Sequence, residues 1–207
     1  MNTLLHPGYF LNVAHFVAIV QAENVVWEVE DNYQKQTFRN RTFVCTDRGQ
    51  HRLNIPIKHS KTEGKLAYKN VLIDNSYHWQ RDHWRTLETA YRTSPFFEFY
   101  EDELKPLYHK EYTHLLDFNL ETIKTISECL QLPFSEQRTA SYELQPSSVI
   151  DRRILINGKT KIAFEFKPYT QVFGDRLPFL PNLSILDLLF NEGPNALTYL
   201  QQQQLPL

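Results

Sequence analysis

The opening of the chain restricts its fold more than any other stretch. "NTLL" is a short apolar run that ends at His6. Val13, Phe16, Val17 and Val20 then recur at the spacing of one helical face, and Leu11, Ala14, Ala18 and Ile19 widen that face until little polar surface is left. "NVVWEV" follows as a second strand pattern. A strand, a helix apolar on nearly every side and a second strand within the first thirty or so residues predict a β-α-β unit with its helix buried. In such a unit His6 falls at the C-terminal end of a strand and beside a helix N-terminus, where open α/β sheets place ligands.

The remaining pattern predicts an α/β (or α+β) fold of one domain, residues 1–207, with a short-stranded N-terminal sheet and a helix-rich C-terminal half. Strands are expected at about 3–6, 24–30, 41–46 and 51–57, the last two joined at "DRGQ" by a hairpin turn through Asp47 and Gly49. "KHSKTEGKLAYKN" reads as a loop. Ser76 is expected to cap a helix bearing Trp79, His83, Leu87, Ala90 and Tyr91 on one side. "SP" at 94–95 ends that helix and starts the next. A longer helix from about Tyr108 to Leu130 turns Tyr112, Leu115, Leu116, Ile123, Ile126 and Leu130 inward, and a further helix spans Asn182 to Phe190 before a stop at Gly193. A lobe boundary is expected near 133–148, in "PFSEQRTASYELQPSSV".

With 42% hydrophobic and 14% aromatic residues the chain can bury a sizeable core, and a formal charge of -2 argues against a surface built to neutralise many phosphates. No nucleic-acid partner is therefore expected. The longest apolar stretch is too short to span a bilayer and lacks the flanks of a signal peptide, so the chain is expected in the cytoplasm. Cys45 and Cys129 have no CxxC or zinc spacing and are read as reduced; no metal-ligand set is read, and no cofactor is named.

The most informative polar stretch is "NYQKQTFRNR", residues 32–41, held between two apolar segments without the usual turn formers. Lys35, Asn40 and Arg41 offer an ammonium, an amide and a guanidinium, the set that holds and orients a carboxylate or phosphate. Glu30 and Asp31, directly upstream, can instead neutralise them in an internal salt-bridge network. His6 beside Pro7 and Gly8 is open to a catalytic or a structural role, and a ligand could approach closely at the glycine. His83 shares a face with Trp79 and Leu87, as a buried structural histidine would. Asp187, the single charge in "LSILDLLF", is expected to be buried and paired with an arginine or backbone donors. The familiar phosphate-cradling, hydrolytic and metal motifs are absent, so spacing alone names no reaction.

"HPGYFLNVAHF", "NYQKQTFRNR", "LNIPIK", "IDNSYHWQRDHWRTLETAYRTSPFFEFY" and "QVFGDRLPFLPNLSILDLLFNEGPNA", in this order and spacing, resemble the WbqC-like family of bacterial proteins across nearly the whole chain, in a form like that of Bacteroidetes-type bacteria. One departure is that the family usually opens His-Gln-Pro, whereas here Pro7 follows His6 directly. The resemblance implies O-antigen and related surface-polysaccharide biosynthesis and a transferase, of glycine or another aminoacyl group, that decorates a sugar. It marks His6 and His83 as catalytic, and Asn32, Lys35, Asn40, Arg41, Lys58, Tyr91, Arg153, Tyr169 and Gln171 as binding a small-molecule or sugar-linked anionic substrate. Two other classes remain open: a non-catalytic binding or assembly partner in the same pathway, and a nucleotidyl-transfer-like enzyme.

Overall fold

The computed structural model describes residues 1–58, 66–159 and 162–206. The β-α-β unit is present: strand β1 (Thr3–Leu5), helix α1 (Val13–Gln21) and strand β2 (Val25–Trp27), with Leu4 paired in parallel to Val26. The hairpin β3 (Arg41–Thr46) and β4 (Gly49–Asn54) follows. Its turn is closed by Gly49 at φ 96°, in the left-handed region that glycine adopts without steric cost. A strand that the sequence did not reveal, β5 (Ile150–Asp151), pairs in parallel with β1 on the side away from β2. Two residues are too few to show a period, so only the pairing defines it. The sheet order β2-β1-β5 is all parallel, and the C-terminal ends of three strands therefore open on one edge.

Four helices form most of the other layer: α2 (Trp79–Tyr91), α3 (Phe97–His109), α4 (Leu115–Cys129) and α5 (Ile185–Glu192), with the short α6 (Ala196–Gln201) against α1. The helix expected from Tyr108 to Leu130 starts only at Leu115, and residues 108–109 close α3 instead. The break at 110–114 arises because neighbouring backbone recruits that segment: Ile73 N–H donates to Thr113 O, and Leu115 N–H donates to Val71 O. Ser76 does not cap α2, since its hydroxyl bonds to Asp74 and helical structure starts at Trp79. Asn182 lies outside α5, at φ 56°, and Ser184 is the cap. Residues 133–148 run beside β2, where Trp27 N–H donates to Gln137 O and Thr139 N–H donates back to Trp27 O. Of the expected loop at 58–70, residues 59–65 lie outside the described residues.

Helix α1 begins with its donors already satisfied. Val13 N–H donates to Leu183 O, Ala14 N–H to the Asn182 side chain, His15 N–H to the Asn12 side chain, and Phe16 N–H to Asn12 O. No free N–H group is left there to greet an anion, so this helix start is sealed by the protein's own C-terminal segment. The approach at Gly8 is filled in the same way. A Cβ there would lie 2.8 Å from Phe38 O and 2.6 Å from Leu11 Cδ2, so the glycine admits the loop 34–40 and not a ligand. Gly8→Ala is expected to lower stability by about 1–3 kcal/mol, the scale of forced overpacking, because the obstruction includes backbone. Urea denaturation measures it, and an unchanged midpoint would show that the loop docks without needing the space.

Candidate functional site

A cleft of about 360 Å³ lies at the C-terminal edge of the parallel sheet. Each strand feeds it: His6 follows β1, Asp31 comes shortly after β2, and Asp151 ends β5 with Arg153 just beyond. The segment 32–40 adds Gln34 and Arg39, while Tyr142, Ile154, Ile156 and Asn157 complete the wall.

Its floor is a buried ionic triad. Asp31 Oδ2 accepts from His6 Nε2 at 3.0 Å and from Arg39 Nη2 at 2.7 Å. Arg39 is fully buried, with its guanidinium 5.3 Å from the Tyr68 ring centre. Because a carboxylate can only accept, the shared hydrogen belongs to His6 Nε2 and the Nδ1 lone pair is free. Nδ1 has no partner among the described residues. Burial lowers the His6 pKa, an effect that the hydrogen bond to Asp31 only partly offsets, so the imidazole is neutral at pH 7. Burial opposes ionisation of Asp31, but the hydrogen bond and charge of His6, with Arg39, outweigh it and hold the carboxyl below its usual value.

A second ionic group forms one wall. Arg153 grips Asp151 through Nε at 2.9 Å and Nη2 at 2.7 Å, and reaches the buried Glu28 through Nη1 at 3.2 Å. Its guanidinium stacks 5.1 Å from the ring centre of Tyr142, whose side chain is 45% exposed at the mouth. The bidentate bond to Asp151 raises the Arg153 pKa. Around the cleft, Glu28, Asp31 and Asp151 thus face Arg39 and Arg153. Both guanidiniums are committed to carboxylates, and the balance is slightly negative.

The residues marked from sequence fall in three places. His6 and Arg153 belong to the cleft; Asn32 adjoins it, its N–H donating to Asp31 Oδ1. Lys35, Asn40 and Arg41 do not converge with His6. Residues 35–40 are a run of turns, so the chain reverses after Arg39: Lys35 is exposed, Asn40 donates its amide to Ile55 O, and Arg41 enters β3 opposite Asn54. Lys58 is exposed beyond the hairpin. Arg39, two positions from Arg41, is the arginine that pairs internally, and Asp31 is the upstream carboxylate that neutralises it.

His83 is not at the cleft. Its Nδ1 shares a 2.9 Å hydrogen bond with Tyr9 OH, which also bonds Tyr108 OH, and its ring packs on Trp79. It is a buried structural histidine, and burial lowers its pKa to about 4. Tyr91, Tyr169 and Gln171 converge on Asp187 instead. The Asp187 carboxylate, fully buried, accepts from Tyr91 OH at 2.7 Å, Tyr169 OH at 2.6 Å and Gln171 Nε2 at 2.8 Å. It is buried and paired as expected, but by hydroxyls and an amide and not by an arginine. Burial raises its pKa against the pull of these three donors. This network joins α2, α5 and the segment 169–171, which makes it part of the scaffold.

Two stability predictions follow from these networks. Asp187→Ala strands three buried donors and is expected to cost about 3 kcal/mol or more, whereas Asp187→Asn keeps an acceptor and loses less. Chemical denaturation decides, and equal losses would mean that the hydrogen bonds are not what holds the site. The buried histidines set an acid response. His15 resists protonation down to about pH 3 and His83 to about 4, while the unfolded chain takes up protons near 6.5. The unfolded state therefore binds more protons in that window, and stability falls as pH drops below about 6 by roughly 1.4 kcal/mol per pH unit for each histidine. His83→Gln should flatten the slope of stability between pH 6 and 4, and an unaltered slope would place the effect elsewhere.

The sequence model of the WbqC-like protein family matches residues 6–161, a span that starts at His6, just after β1, and holds α1, β2 through β5 and every charged group of the cleft. The chain is also 27% identical to the uncharacterized protein Rv1507c of Mycobacterium tuberculosis, over 89% of this chain and 97% of that one. No solved structure matches it. Among the described residues no helix is long and apolar enough to cross a membrane. The chain belongs to the WbqC-like protein family.

Proposed function

We propose that the protein is a transferase of surface-polysaccharide biosynthesis that places an acyl group, glycyl or another aminoacyl group, on a sugar bound in the His6 cleft. The observation that carries this reading is the His6–Asp31 pair at the C-terminal edge of the parallel sheet, with a neutral imidazole whose Nδ1 lone pair has no partner. Asp31 fixes the tautomer and is placed to stabilise the imidazolium that forms. In the transfer step His6 takes the proton of an acceptor hydroxyl or amine, the freed pair attacks the donor's acyl carbon, and the bond from that carbon to its carrier breaks. Nδ1 sits beneath the cleft surface, so the imidazole must swing toward the acceptor, an adjustment of the kind apo sites make.

The charge balance favours a sugar ring or an amine over a dense anion. Carboxylates at Asp31 and Asp151 and amides at Gln34 and Asn157 can receive hydroxyl or amine hydrogens, and the exposed ring of Tyr142 offers an apolar platform. The anion-holding role expected of Lys35, Asn40 and Arg41 has no counterpart in this cleft. A non-catalytic sugar-binding role, as for an assembly partner, has one observation in its favour, the enclosure of Nδ1.

The test is incubation with amino sugars, free and nucleotide-linked, and a panel of aminoacyl donors, followed by mass spectrometry of the sugar. The wild-type chain is expected to add one aminoacyl group, and His6→Gln to reduce the rate by about 10²-fold or more while remaining folded. A folded His6→Gln variant that transfers at the wild-type rate would remove the histidine from the chemistry. Sugar binding without transfer by the wild-type chain would instead establish the binding role.

A further inference from the structure

A second cavity, of about 520 Å³, adjoins the cleft, and Ile154 and Asn157 line both. We propose that this second cavity is a nucleoside subsite, so that the acceptor sugar enters as a nucleotide-linked sugar; the proposal rests on reading the His6 cleft as the sugar site.

Its composition differs from that of the cleft. Phe38 and Phe43 meet edge to face at 6.1 Å on one side, and Phe164, stacked on Phe166, contributes on another. Among these rings stand the amides of Gln50, Asn157 and Asn182. Asn157 Oδ1 accepts from Lys159 N–H and Asn182 Oδ1 from Ala14 N–H, which fixes both side chains and leaves their NH₂ groups without a partner among the described residues. An isoprenoid tail would fill the apolar walls but strip water from these donors without replacing it. A heterocyclic base stacks on the rings and offers acceptors at its edge.

The wall between the cavities suits the link that a nucleotide-linked sugar requires. Next to the shared Asn157, Gly158 lines the second cavity and is in contact with the position of Gln36, since a Cβ on Gly158 would lie 3.8 Å from Gln36 O. Each of the two meeting segments carries an exposed lysine next in sequence, Lys159 and Lys35. These two lysines are the cations on which a diphosphate passing between the cavities would draw, while the carboxylates stay in the cleft with the sugar. Lys35, which has no place at His6, acquires one here, with the exposed apolar side chain of Ile154 on the wall between the two halves.

The experiment is calorimetry and saturation-transfer NMR on the full chain with UDP, GDP, CDP and ADP, and with farnesyl phosphate as the apolar competitor. At least one nucleoside diphosphate is expected to bind, with saturation strongest on the base protons. Gln50→Ala, on an exposed strand position, and Phe164→Ala are each expected to weaken it by about tenfold, the loss of one hydrogen bond or stacking contact. The double change of Lys35→Ala with Lys159→Ala should weaken the diphosphate but leave the free nucleoside unaffected. Absence of nucleotide binding, preference for farnesyl phosphate, or nucleotide affinity indifferent to Gln50→Ala and Phe164→Ala would overturn the subsite. Aminoacylation of free amino sugars without nucleotide binding would sink the subsite and leave the transfer reading standing. Nucleotide binding as described, with no transfer to any sugar, would do the reverse.

Discussion

The structure depends on Asp31. Its carboxylate accepts from His6 at the end of β1 and from Arg39 in the segment after β2, so one buried anion ties together the side chains of three parts of the chain. Arg39 is fully buried, and a guanidinium left there without its carboxylate would carry a desolvation penalty of several kcal/mol. The turns at 35–40 can bring Arg39 inward only because that partner is waiting. Once they do, Phe38 O lies against Gly8 and accepts from Tyr9 N–H, and Phe38 N–H donates to Ile156 O. The loop thus becomes the roof over the β1–α1 connection.

Two consequences concern function. The positive end of α1, which a β-α-β unit usually offers to phosphate, is closed by Asn12, Asn182 and Leu183, so a ligand at this sheet edge must be recognised by side chains. The side chains present are mostly acceptors, because the two guanidiniums are already paired. A cleft of that kind has the acceptors that hydroxyl and amine hydrogens require. The polar groups are also divided in space: carboxylates gather at the strand ends, and amides among aromatic rings lie across the wall formed by Ile154 and Asn157.

The resemblance between sequence blocks does not sort residues by role. The blocks that contain His6 and Arg39 build the cleft, while those that contain His83, Tyr91, Gln171 and Asp187, with Tyr169 just ahead of the last block, build two buried networks. A polar residue in an apolar block was correctly read as buried at Asp187 because isolated carboxylates cannot be desolvated alone. The identity of its partners was out of reach, since Tyr91 and Gln171 lie 96 and 16 positions away in the chain. A tyrosine in a helix pattern looks the same whether its hydroxyl meets water or a carboxylate.

By itself the sequence determined what periodicity can encode: the buried first helix between two strands, the hairpin turn at Asp47 and Gly49, the placement of His6 at a strand end, and the burial of Asp187. Each of these is local, because a 3.6- or two-residue period and a turn signature are complete within a few neighbours. Tertiary structure decided the rest. Strand β5 exists only because Ile150 and Asp151 find β1, far away in sequence, and the break between α3 and α4 exists because residues 71–73 claim the backbone at 113–115. The choice of Arg39 over Arg41 was settled likewise. Both are arginines in one polar run, and only the turn that directs one toward Asp31 and the other into the hairpin distinguishes them, because ion pairing depends on distance in space and the sequence records distance along the chain.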